Sequence, residues 1–210
     1  TILGIMRDAA VYMTPLALLD TFMVKRYCGV DPREWDIRRQ DWIQTTRALP
    51  IPPPTVAQLA YEVIGSIILY DALFFLIHLT LHKSRFLYTL LHAYHHEHDV
   101  MHAHVTNQLT VGERIVLVLA ANQALKILYS HPMSRAAFVP VFIFLLTDNH
   151  SGYDLPWGLQ HIIPGHVMGG PRVHHAHHML GTRHYQPFFT YFDSLLEWWE
   201  GRGRHRVKAC

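Results

Sequence analysis

Apolar positions dominate four stretches of this chain, each broken at single polar sites. Ile64 to Leu81 is interrupted only by Gly65, Ser66, Asp71, His78 and Thr80. Arg114 to Tyr129, Ala136 to Thr147 and Ala9 to Val24 are built in the same way, the last broken by Asp20. A bilayer core about 30 Å thick needs about 20 residues of helix. These stretches suffice singly or as pairs of half-length helices. The competing reading is a soluble helical protein with buried core helices. The flanks favour the bilayer: Lys25-Arg26-Tyr27, Lys83, Arg85-Phe86, Tyr88 and Trp198-Trp199 place cations and aromatics at the ends of apolar segments, as interfacial anchoring does. Asp20 and Asp71 then become functional suspects, because charge in lipid is costly.

The polar punctuation divides the chain. Residues 1–28 read as a helix that enters or crosses the membrane, ended by a turn at Gly29-Val30-Asp31-Pro32-Arg33. Residues 31–49 are charged and carry Trp35 and Trp42, the pattern of an interfacial helix or arm. Leu49-Pro50-Ile51-Pro52-Pro53-Pro54-Thr55 forms a stiff extended break, and Thr55 caps the next helix, which runs through His82. Further helices are predicted at about 112–129 and 133–148. Gly152 and Pro156 then end the helical pattern, and Gly165, Gly169-Gly170 and Pro171 make a loose approach to another histidine group. The expected organisation is an N-terminal helix and arm over 1–54, a membrane domain over 55–200 and a polar tail over 201–210. No internal repeat is present.

Composition changes the picture at one point. The 210 residues carry a formal charge of +2, so there is no polybasic field for nucleic acid. The 18 histidines outnumber the 16 acids. Only Cys28 and Cys210 occur, with no CxxC motif and no disulfide framework. The chain opens Thr1-Ile2-Leu3, without a signal-peptide pattern, and is expected to be a portion of a longer protein.

Eight histidines fall into three spaced groups: His78-x-x-x-His82, His92-x-x-His95-His96 and His174-x-x-His177-His178. On an α-helix positions i, i+3 and i+4 lie within an arc of about 100°. Each group is therefore expected to present its imidazoles in one direction. Neutral imidazole suits Zn, Fe, Cu and Ni, and eight ligands exceed one tetrahedral site. Two metals in one cavity is the economical reading. A pH-sensing cluster does not explain why the first group ends a long apolar helix, and structural zinc closes with four ligands, often cysteine.

His150 is a further candidate, since it ends an apolar helix before a glycine turn. Asp71 precedes His78 by two helical turns and is expected to accept a hydrogen bond from a ligand imidazole. Glu113 reads as an N-terminal acid stabilised by its helix dipole. His98, His102, His104, His131 and His205 read as core or surface histidines. His161 and His166 stay open, and His175 is a weaker candidate.

The set HxxxH, HxxHH, HxxHH within a membrane protein resembles the fatty acid hydroxylase/sterol desaturase superfamily over roughly residues 60–195. Phe74-Phe75-Leu76-Ile77-His78 to His82-Lys83, then Tyr88 to His96, reads like the family's first half. Asp148-Asn149-His150-Ser151-Gly152-Tyr153-Asp154-Leu155-Pro156-Trp157 looks most like the cholesterol 25-hydroxylase branch. The resemblance implies an all-α, membrane-embedded helical bundle with a histidine-rich dimetal site at its cytosolic-type face. It implies two Fe ions (zinc fits the same ligands) held by His78, His82, His92, His95, His96, His174, His177 and His178, with His150 added. It also implies a sterol or fatty-acyl substrate hydroxylated or desaturated with O₂, electrons from NAD(P)H through cytochrome b5 or a reductase, and the endoplasmic reticulum; the mitochondrial inner membrane is the alternative.

The third group departs from the family pattern. Many relatives read His-His-Asp-aromatic-His-His where this chain reads Val173-His174-His175-Ala176-His177-His178. The rival reading is an altered, inactive accessory subunit of a larger membrane complex, its metal kept for structure. A metal transporter is disfavoured, because the ligands are too many and too closely grouped for ions that must leave again.

Overall fold

The structure, a computed structural model, describes residues 52–98 and 100–201, with isolated positions nearer the N-terminus. Most of the helix expected over 1–28, of the arm over 31–49 and of the polar tail lies outside the described residues. Within them the fold is helical. The principal helices are α1 (Val56–Lys83), α2 (Val111–Ile127), α3 (Pro132–Asn149), α4 (Gly170–Leu180) and α5 (Tyr191–Trp199). Extended pairing among the described residues is slight: Val24–Lys25 beside Thr46–Arg47, and a bridge between Met168 and Phe189.

Thr55 starts α1 as expected, its side-chain oxygen accepting from the Gln58 N–H at 3.1 Å. The helix has 28 residues, a length of about 42 Å. It is the one described helix long and apolar enough to cross a membrane. Its buried positions Val63, Ile67, Tyr70 and Phe74 recur at helical spacing and face α2 and α3. Ala120, Ala124, Leu125, Phe138 and Leu145 meet them there. Gly65 allows close approach, since a Cβ would stand 2.7 Å from Leu128. The opposite side of α1 exposes Ile64, Ile68 and Leu76, and α3 exposes Ile143 and Phe144. Large exposed apolar surface of this kind suits lipid rather than water.

Asp71 is fully buried in α1. Its carboxylate accepts from the Phe188 N–H at 2.8 Å, the Phe189 N–H at 3.1 Å and the side-chain amide of Gln186. It therefore pins the segment before α5 against α1. The sequence-based role, acceptor for a ligand imidazole, is corrected: the Nδ1–H of His78 donates to the Tyr185 carbonyl at 2.7 Å. Two turns of helix put Asp71 on the right face but about 10 Å away along the axis, beyond contact with that ring.

Candidate metal centre

The spanning helix delivers the first pair. His78 and His82 sit on its last two turns, and the helix ends where Ser84 turns extended. The second group does not lie on a regular α-helix, contrary to the sequence expectation. Tyr88–His92 is a π turn and Ala93–His96 a 3₁₀ turn. Widening and then tightening the coil changes the direction of successive side chains. The third group occupies α4, which closes at Gly181 with φ +64, its N–H bonded to the His177 carbonyl at 2.7 Å. His150 caps the C-terminus of α3.

Nine histidines converge here, and they divide into two clusters: His78, His82, His92, His96 and His177 in one, His95, His150, His174 and His178 in the other. The motifs therefore do not each face one metal. His92 and His96 join the first pair, while His95 points into the second cluster. His177 crosses to the first cluster because it stands about 100° around the helix from its neighbour His178. The clusters abut, with the rings of His96 and His178 stacked at 4.5 Å.

The ring nitrogens show what the clusters are built to hold. In the first, Nε2 of His78 lies 2.9 Å from Nε2 of His92, Nε2 of His82 lies 3.2 Å from that of His78, and Nε2 of His96 lies 3.0 Å from that of His92. In the second, His174 and His150 approach at 2.9 Å, His150 and His95 at 3.3 Å, and His178 and His174 at 3.2 Å. Four of the outer nitrogens are engaged elsewhere. Nδ1–H of His78 donates to Tyr185, and Nδ1–H of His92 donates to Glu113 Oε1 at 2.6 Å. Nδ1–H of His150 donates to the Leu146 carbonyl at 2.7 Å, and Nδ1–H of His177 to the Arg183 carbonyl at 2.6 Å.

A neutral imidazole that donates from Nδ1 keeps a bare lone pair on Nε2. His78 and His92 thus aim two lone pairs at each other across 2.9 Å with no proton between them. A cation between them turns that repulsion into ligation. Nitrogens about 2.1 Å from a shared metal stand about 3.0 Å apart at right angles and about 3.4 Å apart in a tetrahedron. The observed spacings fit a metal in each cluster. Buried Nε2 of His177 has no hydrogen-bond partner, which also suits a ligand.

Burial acts in the same direction on the protons. It pushes His95, His174 and His177 well below the usual histidine range, and neighbouring imidazoles add to the shift. Burial holds His96 down to about 4. These rings are neutral at physiological pH, the state that binds metal.

Other sequence readings fall as follows. His131 is buried away from both clusters, where its Nδ1 caps α3 by accepting from the Met133 N–H at 3.0 Å. His161 pairs with Asp154 at 2.8 Å on the surface, and His166 adopts φ +55 in a turn. His98, His102, His104 and His175 belong to neither cluster, and His205 lies outside the described residues. His175 lines a shallow surface cavity of about 360 Å³ with Tyr153, Asp154 and Arg172. Glu113 stands in the first turn of α2, as expected from sequence, but it is buried at 2% exposure and contacts His92, a partner the sequence reading did not supply. An acid placed in an apolar helix close to a histidine group was the signal for it.

Comparison with known proteins covers all nine clustered histidines. A profile of the family described as fatty acid hydroxylase matches residues 63–197. Cholesterol 25-hydroxylase of Rattus norvegicus is 32% identical over 155 residues, which is 74% of this chain and 52% of that protein. The Homo sapiens cholesterol 25-hydroxylase is 30% identical over 155 residues, 74% of this chain and 57% of the relative. A methylsterol monooxygenase of Aspergillus fumigatus is 28% identical over 151 residues, 70% of this chain and 49% of the relative. The chain thus spans about half the length of the curated relatives it matches. No solved structure matches.

Proposed function

The chain belongs to the fatty acid hydroxylase family, and from that premise we propose that it is part of a membrane-bound, O₂-dependent lipid hydroxylase acting on a sterol. The proposal rests above all on the two abutting sets of Nε2 lone pairs, with the tautomers of His78 and His92 fixed from outside. The sterol comes from the names of the relatives, cholesterol 25-hydroxylase and methylsterol monooxygenase. The metals would be two irons, held by His78, His82, His92, His96 and His177 on one side and by His95, His150, His174 and His178 on the other. Bound there, an iron pair supplies activation of O₂ and oxidation of an unactivated C–H bond, given electrons from NAD(P)H through cytochrome b5 or a reductase.

The chain's own residues have separable tasks. The carbonyls of Tyr185, Leu146 and Arg183 hold their imidazoles in the ligating tautomer. Tyr185 and Tyr88 each lie within 6 Å of three first-cluster rings, restricting water on that side. Helix α1 sets the depth. From Val56 to His78 it rises about 33 Å, one hydrocarbon thickness. The centre then lies at one membrane face, within reach of a lipid in the bilayer and of a soluble electron donor. Endoplasmic reticulum membrane is the location that this reading carries with it.

The departures in the third group remove no cluster member, because neither Val173 nor His175 belongs to one. That favours an enzyme over an accessory subunit with a metal kept for structure. Metal analysis of the purified full-length protein, with product analysis under ¹⁸O₂, a sterol and a competent reductase, tests the proposal. Two irons per chain and an ¹⁸O-labelled sterol alcohol are expected. Zinc alone, with no O₂-dependent product, would overturn it.

A further inference from the structure

The two clusters differ in what stands behind their imidazoles. His78, His150 and His177 donate from Nδ1 to main-chain carbonyls. His92 donates instead to a carboxylate, Glu113, at 2.6 Å, and the two side chains are only 1% and 2% exposed. A carboxylate in this position fixes the ring and raises the basicity of the ligating nitrogen more than a neutral carbonyl does.

The carboxylate is held in place from several directions. Glu113 lies in the first turn of α2, and its N–H donates to Thr110 Oγ1 at 3.2 Å. The same Thr110 hydroxyl donates to the carbonyl of Leu91, the residue before His92, at 2.7 Å. Gly112 lets the two segments meet, since a Cβ there would stand 2.7 Å from the Leu91 side chain. The start of α2 is thereby locked to the turn that carries His92. The second oxygen of Glu113 is buried without a partner, a costly arrangement for a group with no task beyond packing.

We propose that Glu113 is a positioning residue that makes the two metal sites unequal, so that the cluster containing His92 binds its metal more tightly than the cluster containing His150. The inference rests on the reading that both clusters hold metal. It does not depend on turnover or on the substrate.

Metal titration tests it on the full-length protein in detergent, stripped of metal and refilled with Zn²⁺ against a chromophoric chelator. Two sites of different affinity are expected. Glu113→Gln keeps the volume and replaces the carboxyl with an amide, and should weaken the tighter site by about 10- to 100-fold while leaving the other unchanged. His92→Ala removes one of five ligands together with the Glu113 contact and should weaken the tighter site at least as much as Glu113→Gln does, whereas His150→Ala should weaken only the other site. These two variants decide the order of the sites even if Glu113→Gln fails to fold. Equal losses at both sites, no loss, or a tighter site left unweakened by His92→Ala would overturn the inference. Fewer than two metals on the unaltered protein would instead overturn the dinuclear reading beneath it.

Discussion

At the scale of single residues, a buried charge is explained by what it touches. Asp71 and Glu113 both stand in apolar helices, and sequence position alone gives the imidazole partner to Asp71 and only a helix-dipole role to Glu113. Asp71 holds the backbone of Phe188 and Phe189 and the amide of Gln186, and Glu113 holds an imidazole. Removing Asp71 leaves these buried donors unsatisfied, at about 1–3 kcal/mol each before relaxation. Asp71→Ala is therefore expected to destabilise the chain by about 3 kcal/mol or more, a shift visible in its denaturation midpoint. Metal content per folded chain should be unchanged, since Asp71 contacts no cluster member. Loss of metal without loss of stability would restore the role expected from sequence.

Among elements, α1 does two jobs at once. Its apolar length suits a membrane span, and its last two turns carry His78 and His82. A substitution in the span should therefore affect insertion before chemistry. Ile68 is 42% exposed on the side away from α2 and α3. Ile68→Arg places a charge near the middle of the helix, where insertion costs about 3 kcal/mol. Reduced recovery in the carbonate-resistant membrane fraction is expected. Full recovery would mean that this face does not meet lipid. The turn after α1 matters in a different way. Its His92 and His96 reach one cluster and its His95 the other, the same division that α4 makes between His174 with His178 and His177.

For the whole molecule, the centre acts as a fastening. The two clusters draw ligands from α1, the turn after it, the end of α3 and α4. Metal that binds the folded chain alone stabilises it by about 2.7 kcal/mol at one hundred times the dissociation constant. Chelation should lower the melting temperature by several degrees and restore it when metal is returned; an unchanged melting curve would show that the clusters hold none. The sequence by itself determined the helical class, the apolar span ending in histidines, the Thr55 cap and the set of nine histidines, because helical periodicity and ligand spacing are local properties. Only the tertiary structure decided how those histidines divide. The motif rule fixes a direction relative to one helix axis, whereas cluster membership depends on how four elements are placed. The partners of Asp71 and Glu113 were decided in the same way. Each lies in a segment distant in sequence, and only the packing of α1 against residues 185–189, and of α2 against the His92 turn, brings it within hydrogen-bond reach.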